Sequence, residues 1–222
     1  MASRLEPAPN HLARAPTFHI VDCREKKANF ELTNRVPLII RAPGFPASAG
    51  KRTTVFYDHV DLYPTLAELA GLPSPQPAIG TLESKSLAKV FRNPGVLPSE
   101  IAGGQVAFSQ YPRCAKTGIE NGSCNNVDKR RFDYMGYSVR TAEWRFTAWL
   151  AWDGQTLKGQ WAVGPKFYAE ELYSHHNDTG TDHDAYENAN VADQAQHTAL
   201  KEQLWMLLQS RFPSIASIAS IA

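Results

Sequence analysis

Hydrophobic positions follow one pattern in the first half of the chain and another in the second. Val36-Pro37-Leu38-Ile39-Ile40 is a short continuous apolar run that Pro43-Gly44 ends. Such a run predicts a strand buried on both faces. Thr53-Thr54-Val55-Phe56 predicts a second short strand. The spacing then becomes helical, with Leu62, Leu66, Leu69 and Ala70 on one face. Asp61 stands where an N-cap belongs, Pro64 falls in the first turn, and Gly71 sits where the helix should stop. Pro73, Pro75 and Pro77 impose a loop, and residues 86–91 form a short helix closed by Asn93-Pro94-Gly95.

Beyond residue 105 the period is two. Residues 106–111 read as a strand. Residues 137–141 and 145–152 flank a turn at Ala142-Glu143, with Phe146, Ala148, Leu150 and Trp152 on one side. That is a hairpin with aromatic cross-strand pairing. Residues 169–173 offer another strand, and Leu200, Leu204, Leu207 and Leu208 make one helical stripe. The expected class is α/β, or α+β within this chain: the end of a parallel sheet, then a four-stranded antiparallel sheet with a packed C-terminal helix. The divisions are a leader at 1–25, part of an α/β domain at 26–100, a smaller subdomain at 101–212, and a Ser-Ile-Ala repeat tail at 213–222.

A net charge of +1 excludes a dedicated nucleic-acid binder, and Lys129-Arg130-Arg131 reads as a solvated run. Residues 1–52 carry nine Lys/Arg against four Asp/Glu, while residues 167–202 carry one against eight. Two solvated surfaces of opposite sign account for this more readily than a basic segment beside an anionic substrate. No run approaches the ~18 apolar residues of a membrane helix, and the first 16 residues hold no signal-peptide core. Asn121-Gly122-Ser123 and Asn177-Asp178-Thr179 are glycosylation triplets with meaning only in a secreted chain. Cys114 and Cys124 bracket nine residues rich in Gly and Asn, a span that a short disulfide can close, leaving Cys23 over. No C-x-x-C pair signals zinc.

The run Arg35-Val36-Pro37-Leu38-Ile39-Ile40-Arg41-Ala42-Pro43-Gly44, followed by Val60-Asp61-Leu62-Tyr63-Pro64-Thr65-Leu66-Ala67-Glu68-Leu69-Ala70-Gly71-Leu72-Pro73, resembles the sulfatases, and within them the iduronate-2-sulfatase-like branch. The resemblance covers the C-terminal part of such an enzyme. It implies an alkaline-phosphatase-like fold, a formylglycine made within C/S-x-P/A-S/C-R, a calcium ion held by Asp with Asn or His, and Lys and His side chains that clamp the sulfate. Here Cys23, Cys114 and Cys124 each lack the nucleophile motif, and the Asp-Asp pair and Asp-His-Gly are missing. Asp58-His59-Val60 reads as surface loop. Lys26-Lys27-Ala28-Asn29-Phe30 matches the family's segment before the Val-Pro-Leu-Ile strand, which gives Lys26 the place of the sulfate-contacting lysine. Residues 1–25 depart from the family.

Phe108-Ser109-Gln110-Tyr111-Pro112-Arg113 and Met135-Gly136-Tyr137-Ser138-Val139-Arg140-Thr141 are similar to family stretches that shape the substrate pocket. The resemblance therefore marks Tyr111, Arg113 and Arg140 for substrate binding, the guanidiniums offering a planar fork to a uronate carboxylate or a second sulfate. Each arginine has an alternative role as a salt bridge within the subdomain. Glu171-Leu172-Tyr173-Ser174 resembles the family's Glu-Leu-Tyr-Asp turn. The cluster His175, His176, Asp178, Asp182, His183, Asp184 fits neither a zinc helix nor a calcium loop, and reads as a polar loop.

The expectation is thus the C-terminal portion of a sulfatase. The intact enzyme would cleave sulfate esters of glycosaminoglycan-type sugars with formylglycine and calcium. This chain alone would be inactive, with no metal of its own, no membrane and no nucleic-acid partner. Its partner would be the N-terminal sulfatase portion, without which exposed apolar surface and marginal stability follow. The alternative is a non-catalytic protein that binds sulfated glycans. Members of the family are typically lysosomal, periplasmic or secreted.

Overall fold

In the computed structural model, the described residues are 27–76, 84–114, 124–161, 167–182 and 185–212. Four long antiparallel strands dominate: β1 (Ala107–Arg113), β2 (Tyr134–Arg140), β3 (Trp144–Asp153) and β5 (Phe167–Ser174), in spatial order β1-β2-β3-β5. A two-residue strand, β4 (Lys158–Gly159), pairs with the far end of β3. One face of this sheet carries Met135, Tyr137, Val139, Phe146, Ala148, Leu150 and Leu172, all buried, and α4 (Thr198–Arg211) seals it with Leu204 and Leu208. The hairpin, the further strand and the packed helix are therefore present as the period-two pattern predicts. Leu207 of the expected helical stripe is turned outward.

The first half differs from expectation in two places. Residues 36–42 form no strand, and no described backbone group pairs with residues 37–41. Instead of burial on both faces, Ile39 is 92% exposed. Val36, Ile40 and Ala42 are half-buried, while Pro37, Leu38, Ile39 and Arg41 face water. The segment lacks a strand's neighbours, and no parallel sheet is seen among the described residues. Residues 53–56 likewise form no strand, and the one described backbone–backbone bond they make is Phe56 N–H to the Gly104 carbonyl at 2.8 Å.

The helix after Asp61 does form, as α2 (Leu62–Leu69), and Gly71 ends it with φ +69°. It buries Pro64, Thr65 and Ala67, and the face holding Leu66 and Ala70 is open. The reason is a polar anchor. Asp61 is buried and accepts from the Asp58 N–H (2.9 Å), Lys85 N–H (2.9 Å) and Lys85 Nζ (2.7 Å), while Thr65 Oγ1 accepts from Leu87 N–H (2.9 Å). These bonds turn the opposite side of α2 toward α3 (Ala88–Arg92), beside a small core of Val55, Leu87, Val96 and Ile101. Asp58, expected in a surface loop, caps the turn at His59–Asp61 and is half-buried.

Candidate substrate-side site on the second face of the sheet

Alternation along the strands puts a polar set on the face opposite α4. Ser109, Ser138, Thr147 and Glu171 form one cross-strand row, and Tyr111, Gly136 and Trp149 form the next. The segment 27–35, with the short helix α1 (Glu31–Asn34), lies over this face. Asn29 Nδ2 donates to the Gly136 carbonyl (3.0 Å), and Asn29 Oδ1 accepts from Ser109 Oγ (3.1 Å). Phe30 meets the Tyr173 ring edge-on at 5.7 Å. Gly136 has to be glycine: a Cβ there would stand 2.7 Å from the Trp149 ring and 2.9 Å from Asn29 Nδ2. Its absence lets the indole lie across the strand.

At one end of this face sits Arg113. Its guanidinium carbon lies 5.0 Å from the centroid of the Tyr111 ring and 5.1 Å from that of Trp149, and Nη1 donates to the Lys27 carbonyl (3.0 Å). Two aromatic faces around one cation fix the plane of the fork. Glu171 lies nearby, its Oε1 accepting from Trp149 Nε1 (3.1 Å). Burial pushes its carboxyl above the usual range, against the indole hydrogen bond and Arg113. Burial likewise raises the half-buried Tyr111 phenol.

The other end is a buried ion network. Arg140 and Arg145 face each other in register across the β2–β3 hairpin. Two cations so placed repel unless an anion lies between them. Glu31 supplies it: Oε2 accepts from Arg140 Nε (3.1 Å) and Arg145 Nη2 (2.6 Å), and Oε1 from Arg35 Nη1 (3.0 Å). Burial raises the Glu31 pKa, but Arg145 and Arg140, with hydrogen bonds from Arg35 and Arg145, bring it down to about 2. Arg145 also donates to Glu187, and Arg140 to Asp178 (3.0 Å) and the Thr141 carbonyl. His175 completes the network, with Nε2 toward Glu187 (3.0 Å) and Nδ1 toward Asp178 (2.9 Å) and Arg140 (2.8 Å). Arg35 crosses above Gly180, where any Cβ would strike its guanidinium.

Tyr111, Arg113 and Arg140 thus share one face of the sheet. Arg140 pairs with Ala107 and Arg113 with Tyr134, six ladder positions apart. At ~3.3 Å per residue this is about 20 Å, so the two guanidiniums cannot grip one group. Arg140 is 5% exposed and committed to Glu31, Asp178 and Thr141, whereas Arg113 is half-buried. Lys26 lies outside the described residues, as do His183 and Asp184. Cys114 and Cys124 are disulfide-bonded, with Cα atoms 5.5 Å apart. The stretch read as a polar loop is only partly one, because His175 and Asp178 turn inward to the network while His176 and Asn177 face water.

Glu31, His175 and Glu187 present ligand-type atoms within 4.8 Å of one another. They do not fit calcium, which takes six to eight oxygen ligands. One of the three donors is an imidazole, and both carboxylates are already occupied by Arg140, Arg145 and Arg35. No helix among the described residues is long and apolar enough to cross a membrane.

No protein-family model matches the chain. Individual relatives do. Iduronate 2-sulfatase of Mus musculus is 30% identical over 224 residues, covering 81% of this chain and 37% of the mouse protein. The Homo sapiens enzyme is 29% identical over 202 residues, covering 76% and 36%. Arylsulfatase K of Bos taurus is 33% identical over 94 residues, covering 39% and 17%. The chain therefore spans little more than a third of the length of the iduronate 2-sulfatases it matches. Since the match takes in most of this chain and falls on the C-terminal region of those enzymes, the chain belongs to the sulfatase family.

Proposed function

We propose that this chain is the substrate-side, C-terminal portion of a sulfatase of the iduronate-2-sulfatase type. The intact enzyme would hydrolyse sulfate esters on sulfated, glycosaminoglycan-type sugars. Its formylglycine and calcium would be carried by the part of the polypeptide that this chain does not span, and no step of that chemistry is assigned to residues here. The similarity over 81% of the chain carries the reading. The parallel sheet of an alkaline-phosphatase-like fold, with Lys26 as sulfate contact, belongs to the same proposal.

Within it, Arg113 is the residue for an anionic substituent of the sugar. Tyr111 and Trp149 hold its plane, it is half-buried, and a planar fork suits a carboxylate or sulfate. Arg140 serves the site from a distance by holding Glu31, and with it the segment that leads to Lys26. The test is calorimetric titration of the purified chain with a heparin-derived disaccharide and its desulfated counterpart, beside an assay with a fluorogenic sulfate ester. Weak binding of the sulfated sugar, loss of that binding in Arg113→Ala, and no turnover by the chain alone are expected. Turnover by the chain alone would sink the proposal. Tight, selective binding would favour the non-catalytic glycan-binding protein instead.

A further inference from the structure

Arg140, Arg145, Lys85 and Lys201 are each held in a salt bridge, and Arg113 lies against two aromatic rings. One turn is built the other way. Lys129, Arg130 and Arg131 form a single 3₁₀ turn and are all exposed. Among the described residues their side chains make no ion pair or hydrogen bond, and neither does that of the half-buried Lys158. Two acids at this turn and its neighbour are spent on backbone. Asp128 Oδ1 accepts from Arg130 N–H (2.8 Å), and Asp153 Oδ1 from the N–H groups of Gln155 (2.9 Å) and Thr156 (3.4 Å).

The turn's backbone is nevertheless firmly seated. Trp152 Nε1 donates to the Lys129 carbonyl (2.8 Å), the Phe132 and Trp152 rings meet at 6.1 Å, and a Cβ on Gly154 would strike the Arg130 carbonyl. Three adjacent cations fixed in this way repel one another, and no described contact offsets the repulsion. Their position gives the arrangement a use. Asp133 N–H donates to the Arg113 carbonyl (3.0 Å) and Trp152 N–H to the Asp133 carbonyl (3.0 Å), so the turn stands at the same end of the sheet as Arg113. Lys158, opposite Asp153 in the β3–β4 pairing, stands at that end too.

We propose that Lys129, Arg130, Arg131 and Lys158 form a second anion-binding surface, which engages the chain of a sulfated polysaccharide beyond the sugar held at Arg113. This rests on the sulfatase reading above for the identity of the polyanion, and it extends the ligand from a single sugar to a polymer. Successive side chains of a 3₁₀ turn point about 120° apart, so they make no socket for one sulfate. They suit charges repeated along a flexible chain, where each contact releases a counterion. A single-stranded nucleic acid fits less well. It calls for open aromatic platforms, and Phe132 and Trp152 are half-buried and packed on each other.

The probes are a heparin-derived disaccharide and octasaccharide, titrated calorimetrically into the full chain, beside a desulfated octasaccharide and a single-stranded RNA of equal charge. The octasaccharide should bind about tenfold more tightly than the disaccharide, more than its about fourfold greater number of repeat units accounts for. Raising salt from about 50 to about 200 mM should remove most of that advantage. The double variant Arg130→Ala, Arg131→Ala should abolish the length advantage and leave the disaccharide affinity and the urea midpoint unchanged. Arg113→Ala should do the converse, losing the disaccharide and keeping salt-sensitive binding of the octasaccharide. Equal affinity for the two lengths, a length advantage that survives in the double variant, or equally tight binding of the desulfated octasaccharide or the RNA would each overturn the proposal. The sulfatase reading fails in a different way: the chain alone turns over a fluorogenic sulfate ester while the length advantage stays intact.

Discussion

The sheet with α4 and the segment from 36 to 101 are built from one chain, yet they solve burial differently. The sheet closes its own core, where Val139, Phe146, Leu150, Leu172 and Leu208 are at most 1% exposed. The earlier segment has a core of Val55, Leu87, Val96 and Ile101 and leaves comparable side chains in water. What holds that segment is largely polar: Asp61 with Lys85, Thr65 with Leu87, Glu68 with Arg92. A region that spends its hydrogen bonds on fixing a shape, while its apolar side stays uncovered, is organised to be covered.

Core truncation is the strongest way to break this comparison. Phe146→Ala in the sheet should cost about 3–5 kcal/mol of unfolding free energy. Ile39→Ala should change the urea midpoint little, since its side chain leaves no void. Equal losses at the two sites would show that residues 36–42 are buried after all. A similar loss, about 3–5 kcal/mol, is expected for Glu31→Ala, which removes the carboxylate between the buried Arg140 and Arg145 guanidiniums and leaves the two cations facing each other, with Asp178 and Glu187 as their remaining partners. It should also speed amide exchange in residues 27–35. The pH dependence has the same origin. The Glu31 carboxyl titrates at about 2 in the folded chain, below its ordinary 4.5. A depressed carboxylate stabilises fully above the unfolded value and less as pH falls, so about 3 kcal/mol should disappear between pH 4.5 and 2. Urea titrations across that window should show it in the wild type and not in Glu31→Ala.

How legible these features were depends on how local their cause is. Phe146, Ala148, Leu150 and Trp152 alternate within one strand, so the hairpin and its core face are written in the sequence. The same alternation already puts Arg145 on the other face, and the hairpin register sets it against Arg140. That pairing demanded a carboxylate, but Glu31 lies more than a hundred residues away and no local pattern could name it. His175 was equally hidden, because a polar run reads the same whether its side chains face water or an ion network. Residues 36–40 were misread for the opposite reason. Their apolar pattern specifies a strand with neighbours, and the described residues contain none to pair with it. For α2, Leu62, Leu66, Leu69 and Ala70 do recur at helical spacing, but Asp61 and Thr65 decide which side is anchored.

A subtler effect separates the two ends of the polar face. Gly136→Ala should cost about 1–3 kcal/mol, because the new methyl group meets the Trp149 ring and Asn29 Nδ2 inside 3 Å. The indole would have to lift, freeing Arg113 from one of its two aromatic faces. The expected signature is a shift in tryptophan emission together with weaker binding of a sulfated disaccharide. A loss of stability with emission and binding unchanged would place the strain elsewhere.

The smallest effect lies at Glu171, and its sign runs opposite to that of Glu31. Burial raises its carboxyl pKa, so the folded chain binds this proton more tightly than the unfolded chain does. Stability then falls as pH rises through the interval from the unfolded value to the raised one. Glu171→Gln keeps the shape and an acceptor for Trp149 Nε1 and removes the charge. It should be close to neutral in stability at pH 4 and more stable than the wild type at neutral pH. Paired urea titrations at the two pH values measure this. If Gln is no better at neutral pH, the ionised carboxylate is already compensated, with Arg113 as its counter-ion. Arg113 would then be engaged with Glu171 inside the fold rather than held ready for an anionic sugar, and the two ends of the face would be alike in being structural.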